Sequence, residues 1–494
     1  MNWIPIVFSC LLFVVGSLLG LSDDEAYYWV LAQKPALAYA FHPPAVAWVI
    51  ALFSKMGTSP AWVRLPSALT GGLLLALGLN WLNRVGLDQS KRSRAAGVML
   101  SFFGFFSLAW MMVPDIPLFL GWTALFFFTW KICNKKDFHK DSQTVIPYLG
   151  LSLSAATVLL SKYSGVLAIF SSFISILFWA TKEKKRKAVA FLAFGTMVAL
   201  IPILVWNSEH EWVSILYQIR DRHSGEEISW IRYGRFWLAE VLLAGPILVG
   251  FTCFTVVRVL LSWRKTENAI RFVMVWLLPG ALVFCTQPLF SDFKLHWAFV
   301  VWWPAVLALA WKSQNEKDWK WIRWQAYYGI ALGLLVWICC FFPIGSQLLH
   351  HYKGEKFDPR LDVTNDLYGW KDLKSFFATQ LDENARRLPV VASRYQTASQ
   401  AAFSLAGVNH VTMLPRDYRE RDEWPELGVS DGWGPNWPRL LTPVLFVADN
   451  RYDAPPEYKG ATCVKLKRLE ARRQGLLIKW IDVWRCDPEK SINR

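Results

Sequence analysis

The chain has 494 residues, of which 54% are apolar, 16% aromatic and only 18% charged, with 29 tryptophans and a formal net charge of +15. That balance excludes an ordinary soluble globular protein and fits a polytopic membrane protein. The excess positive charge does not mark a nucleic-acid partner, because Lys and Arg fall in short clusters between apolar runs, the pattern that sets membrane topology.

A span needs about 20 mostly apolar residues. By that measure the chain predicts eleven, at 3–21, 64–83, 95–113, 116–132, 145–161, 164–181, 188–206, 236–261, 271–287, 297–311 and 325–345. The first run has neither a basic leader nor a small-residue cleavage site, so it reads as a retained transmembrane helix. Residues 43–56 are apolar but too short to span and fit an interfacial helix. Basic clusters follow every second span: Arg84 to Arg94, Lys131 to Lys140, Lys182 to Lys187, Arg264 to Arg271 and Lys312 to Arg323. Those loops are expected in the cytoplasm, as is the N-terminus. The intervening loops hold the isolated polar residues and are expected outside.

The most unusual stretch is Leu21 to Trp48. Asp23, Asp24 and Glu25 follow the first apolar run, then Tyr27, Tyr28 and Trp29, then the His42-Pro43-Pro44 corner. Acids favour a helix N-terminus, which explains one of them. Three beside an aromatic cluster at a membrane edge point to a site. Asp115 lies between Pro114 and Pro117, where it either caps the next helix or joins Asp24 as a second carboxylate. Lys162-Tyr163 interrupts the apolar run 145–181, where a lysine either snorkels or offers a fixed cation to a phosphate. Lys294 with His296, and Arg220 with Arg222, are two further cationic groups expected on the same side. Alone, each would be a solvated face. Together with the acids they suggest an anionic, membrane-embedded ligand such as a lipid phosphate. Most tryptophans are expected in the belts at the membrane interfaces.

Beyond Phe342 the chain turns polar. Runs at 389–392, 443–447 and 476–480 read as strands and 398–405 as a short helix. Residues 1–345 are therefore expected to form a membrane domain with an external catalytic loop at 22–63, and 346–494 an external α/β domain. Its two cysteines, Cys463 and Cys486, sit at the open ends of a hairpin turning at 472–475. In an oxidising compartment they are expected to pair.

The string DDEAYYW followed by HPP resembles the first external loop of bacterial membrane glycosyltransferases of the C superfamily (GT-C). The branch is that of protein O-mannosyltransferases and of the lipid A aminoarabinose and galacturonic-acid transferases. PDIPL at 114–118, LLSKYSG at 159–165, WNSEHEWVS at 206–214, KLHW at 294–297, YGW at 368–370 and SRYQTASQAAF at 393–403 extend the resemblance along nearly the whole chain. It implies a GT-C fold of about eleven helices with a periplasmic C-terminal domain, in a bacterial inner membrane. It also implies transfer of a hexose or pentose from a polyprenyl-phosphate donor to an envelope glycan such as lipid A or lipopolysaccharide. By resemblance Asp24 is the catalytic carboxylate, with Glu25 and Asp115 orienting the loop or acceptor. Lys162, Tyr163, Lys294, His296, Arg220 and Arg222 would face the donor phosphate, and Tyr27, Tyr28 and His42 the substrate. No metal or other cofactor is required by this reading. Where the aminoarabinose branch has Glu-Lys before the prolines, this chain has Phe41-His42, which argues against aminoarabinose as the sugar. Two rivals are a protein O-glycosyltransferase and a transporter of lipid-linked sugars; the transporter would more often show paired repeats and broken helices.

Overall fold

The computed structural model describes residues 3–134, 144–220, 227–407, 409, 411–413, 442–451 and 461–488. Backbone proximity divides the chain into two compact units. The first comprises Met1–Val14, Ala36–Val46 and Pro66–Val336; the second comprises Val15–Pro35, Ala47–Leu65 and Trp337–Arg494.

The first unit is helical. Among the described residues of the whole chain, six helices are long and apolar enough to cross a membrane, or up to eight if two bent pairs each count as one span. The expected eleven is therefore not confirmed, for identifiable reasons. The run 95–113 is not one helix but two, Arg92–Leu100 and Phe103–Ser107. At the break, Gly329 lies so close that a Cβ there would sit 2.1 Å from the Ser101 carbonyl oxygen. The expected spans 145–161 and 164–181 are two helices of only 16 and 14 residues, Ile146–Ser161 and Val166–Trp179. The run 236–261 bends by 109° between Trp230–Ala244 and Pro246–Leu261. Gly245 turns the chain there with φ +95°, a conformation disfavoured by any side chain, and Pro246 starts the next helix. Gln325 caps both broken ends, donating to the Ala244 carbonyl (2.8 Å) and accepting from Leu248 N–H (3.1 Å). Without it those backbone groups would be orphaned in an apolar surrounding.

Close approach of helices in this unit depends on small residues. Helices Asp115–Cys133 and Lys182–Glu209 both pack on Ile146–Ser161. A Cβ on Gly195 would lie 2.0 Å from Ser152 O, and one on Gly121 2.9 Å from Val158 Cγ1. Some of the tryptophans pack inside the unit. Trp81, Trp122, Trp276 and Trp303 are each less than 2% exposed. Trp81 packs edge-on to Phe126 (5.2 Å) and Trp130 (5.8 Å), and Phe126 to Trp276 (5.3 Å). Large flat rings fill the gaps between helices here, and edge-to-face geometry adds to their dispersion.

The second unit holds a five-stranded sheet of order β2-β1-β3-β5-β4. Its strands are β1 (Val390–Ala392), β2 (Val411–Met413), β3 (Val444–Asp449), β4 (Ala461–Arg473) and β5 (Leu476–Pro488). β1 is parallel to β2 and β3, while β3–β5 and β4–β5 are antiparallel. The period of two sorts β3 between faces. Leu445 and Val447 join Trp370, Leu373, Phe377 and Ile481 in one core, and Val444, Phe446 and Ala448 line the other. Gln474 (φ 48°) and Gly475 (φ 86°) make a two-residue turn between β4 and β5, tighter than the four residues expected. Arg473 thereby stays in β4. Its guanidinium donates to Cys339 O (3.1 Å), Cys340 O (2.8 Å) and Asn365 Oδ1 (3.0 Å). Cys463 and Cys486 are paired opposite each other across β4 and β5 and form a disulfide, Cα–Cα 4.1 Å.

Candidate active site

In the first unit, Asp115 opens the helix Asp115–Cys133, directly after Pro114. The helix N-terminus stabilises its charge. Lys162 occupies the break after Ile146–Ser161, in an extended conformation that turns its side chain out of the helical row. The packing of those two helices brings Lys162 Nζ to 2.9 Å from Asp115 Oδ1. His296 Nε2 lies 3.8 Å from Asp115 Oδ2, and Lys162 Nζ stands 5.7 Å over the Trp297 ring. His42 is close enough to act on Asp115 electrostatically. Asp115 is 6% exposed, Lys162 14% and His296 31%, so the group is part-open.

The HPP corner is held from the WNSEHEWVS segment. Gln218 Nε2 donates to Phe41 O (3.1 Å), and Phe41 packs edge-on to Tyr217 (4.9 Å). Glu211 and Trp212 sit in the left-handed region, φ 53° and 59°, which costs side-chain-bearing residues about 1–3 kcal/mol each. Buried Asn207 holds this turn: its carbonyl accepts from Trp212 N–H (2.9 Å) and its Oδ1 from Ile215 N–H (3.2 Å). Tyr163 and Ser214 share a hydroxyl hydrogen bond of 2.6 Å.

In the second unit, Ser22 and Glu25 form a capping box at the start of helix Asp23–Gln33. Glu25 is fully buried and grips Arg64 at 2.7 and 2.5 Å. The remaining Arg64 donors reach Gly16 O (2.8 Å), Leu19 O (2.9 Å) and Gly20 O (2.8 Å), the orphan carbonyls after the first helix. Asp24 is half-buried, and Tyr395 Oη donates to its Oδ1 at 3.2 Å. Asp23 accepts from Gln400 Nε2 (3.1 Å) and pairs with Arg451. Arg451 also binds Asp449 (2.7 Å) and Asp366 (3.3 Å), and Thr397 Oγ1 donates to Asp449 at 2.9 Å. Burial alone would raise the Asp449 carboxyl, but the bonds and charge of Arg451 outweigh it and hold it below the ordinary aspartate value. Asp366 is pushed up, first by burial and then by the charge of Asp23.

The structure thus brings Asp115, Lys162 and His296 together, with His42 in electrostatic reach. Glu25 is committed to Arg64. Tyr27 and Tyr28 are buried, and Tyr27 packs edge-on to Tyr395 at 5.3 Å. Lys294 and Arg220 are exposed at the surface. Arg222 lies outside the described residues. Arg64 and Arg451 escaped the sequence reading because a lone arginine after a loop or strand carries no pattern. Tyr395 and Gln400 stood within the SRYQTASQAAF motif.

Residues 41–206 match the family described as dolichyl-phosphate-mannose-protein mannosyltransferase. The lipid A galacturonosyltransferase RgtD of Rhizobium johnstonii is 23% identical over 342 residues, 66% of each chain, so the alignment spans just under two thirds of that relative. ArnT from Cupriavidus metallidurans bound to undecaprenyl phosphate superposes with TM-score 0.61 at 13% identity, over 97% of both chains. The chain has the GT-C fold. The apo form of that ArnT gives TM-score 0.62 at 12% identity. The chain thus has the fold of those ArnT structures, a multi-pass α-helical membrane protein with a C-terminal sheet, and is similar in sequence to membrane glycosyltransferases that include a lipid A sugar transferase.

Proposed function

We propose that this chain is an inverting glycosyltransferase. It moves a monosaccharide from a polyprenyl-phosphate donor to a hydroxyl of an envelope glycolipid, lipid A or lipopolysaccharide, on the periplasmic face of a bacterial inner membrane. The proposal includes a cytoplasmic N-terminus, a membrane domain over 1–345 and a periplasmic domain over 346–494. Asp24 takes the proton of the acceptor hydroxyl as its oxygen attacks the anomeric carbon. The bond from that carbon to the phosphate oxygen breaks in the same step, inverting the centre. Lys162 and His296, with exposed Lys294 and Arg220, stabilise the charge gathering on the leaving phosphate. Asp115 orients Lys162, and Glu25 orients the loop through Arg64. His42 and Tyr163 position substrate, and Tyr27 and Tyr28 support the loop from within. The step as written requires no metal.

The observation that carries this reading is Lys162 fixed 2.9 Å from Asp115 in a helix break, with His296 on the same carboxylate. A cation held before the donor arrives spends no reorganisation at the moment of reaction. The donor and acceptor classes are supported by the names of the relatives. The match to protein mannosyltransferases favours a second reading, in which the acceptor is a serine or threonine hydroxyl of a protein. The test is purified protein with polyprenyl-phosphate sugars and either lipid A or a secreted protein, read by mass spectrometry of the acceptor. A sugar-mass increment on lipid A supports the first reading, and one on protein supports the second. No increment on any acceptor, with intact donor, would overturn both.

A further inference from the structure

A cleft of about 400 Å³ lies between helices Pro246–Leu261, Asn268–Phe284 and Glu316–Phe341 in the first unit. We propose that it binds the headgroup of an anionic phospholipid, a site separate from the Asp115–Lys162 group and beyond the proposed transfer reaction. Two kinds of surface meet there. One wall is apolar: Phe254 and Phe251 stand four and seven residues before Arg258 on one face of their helix, and Phe251 packs near Trp321 at 6.4 Å. Phe254 is 65% exposed, so this wall opens onto the apolar outer surface of its helix.

The other wall is cationic. Arg258, in the last turn of its helix, and Lys265, in the following 3-10 turn, line the cleft with Lys312. Lys312 is balanced by Glu267 at 3.6 Å. Among the described residues no ion pair is made by Arg258 or Lys265, and the acid Asp318 leaves the lining at net +1 (Arg258, Lys265, Lys312 against Glu267, Asp318). The 3-10 turn and the neighbouring helix ends add Arg264, Arg271, Lys317, Lys320 and Arg323, the charge bias of a segment facing a leaflet rich in anionic lipid. A phosphate between Arg258 and Lys265 satisfies both cations, and its acyl chains run along Phe251 and Phe254. A free phosphate would use only the cationic wall.

The test uses the full chain, purified in neutral detergent, with native mass spectrometry of bound lipid. Phosphatidylglycerol should be retained in preference to phosphatidylcholine of the same chains. Each cation removed should weaken that retention about 5-fold, and Arg258→Gln with Lys265→Gln together about 25-fold. Lys374→Ala, exposed in the second unit, should change nothing. An unchanged elution profile and phosphatidylcholine retention certify that the variants fold, and either single variant serves if the double does not. Equal retention of the two lipids by the unsubstituted chain, or phosphatidylglycerol retention unchanged by the substitutions, would overturn the site. Inorganic phosphate displacing the lipid at similar concentration would overturn its assignment as a lipid site.

Discussion

The chain contains two ion pairs that look alike in outline and differ in kind. Glu25 and Arg64 are 0% and 1% exposed, and every Arg64 nitrogen donates to a carboxylate or to a backbone carbonyl at the first helix's end. Asp115 and Lys162 are 6% and 14% exposed, joined by a 31%-exposed histidine at a helix break. The first pair is sealed and shapes the loop that carries Asp24. The second reaches the surface of its unit, where a ligand's charge can compete for the lysine. A buried pair is thus a frame or a site according to how much of it can be reached.

The sharpest way to break that contrast is to remove one partner from each pair. Arg64→Ala leaves Glu25 buried and uncompensated and should cost about 3–5 kcal/mol of stability. Thermal melting in detergent checks it, and a change under about 1 kcal/mol would show that the pair is not a frame. Lys162→Ala should cost less stability, about 1–3 kcal/mol, because part-exposed His296 remains beside Asp115. Its turnover should fall about 100- to 1000-fold, as expected on losing one preorganised charge. Assays at saturating lipid donor read the difference. If the two variants lost stability and turnover in the same proportion, the distinction between frame and site would fail.

The second unit sharpens the frame side. Cys463→Ser with Cys486→Ser should lower stability by roughly 3 kcal/mol by the loop-entropy argument, without changing turnover per folded molecule. Asp449→Asn should be destabilising at neutral pH, because it removes a carboxylate held below its ordinary pKa, with Arg451 its principal partner. That contribution is full above the ordinary aspartate pKa, about 3.9, and is lost as pH falls through the lowered value in the fold. Unfolding midpoints of the two proteins should therefore converge in acid. A gap that stays constant down to about pH 2 would remove the ion pair as its cause. Smallest of all, a chelator should leave turnover unchanged in the proposed metal-free reaction. Loss of activity restored by a divalent cation would contradict it.

Much of this was legible along the chain because the signals are local. Strands β1, β3 and β5 follow the short apolar runs, while β2 was not read, and the cysteine pair follows from a hairpin whose turn ends in Gln474-Gly475. The helix break at Lys162 shows as one charge in an apolar run. What was not legible depends on packing. Lys162 meets Asp115 across 47 residues only because two helices pack side by side. The glutamate of the acidic triplet faces an arginine 39 residues on, and Asp23 an arginine 428 residues on. Span counting failed at 95–113 because hydropathy cannot see the break that brings Ser101 against Gly329. Nor does composition tell which tryptophans, such as Trp81 and Trp276, lie packed between helices.

The most direct test is the turnover of Asp24→Asn with polyprenyl-phosphate sugar and lipid A acceptor. The amide keeps the size and sits at a helix N-terminus, where losing the charge costs about 0.3–1 kcal/mol, so the protein should fold and insert normally. It cannot take the acceptor's proton, and turnover should fall about 100- to 10000-fold. Turnover near that of the unsubstituted protein would contradict Asp24 as the base and the mechanism built on it.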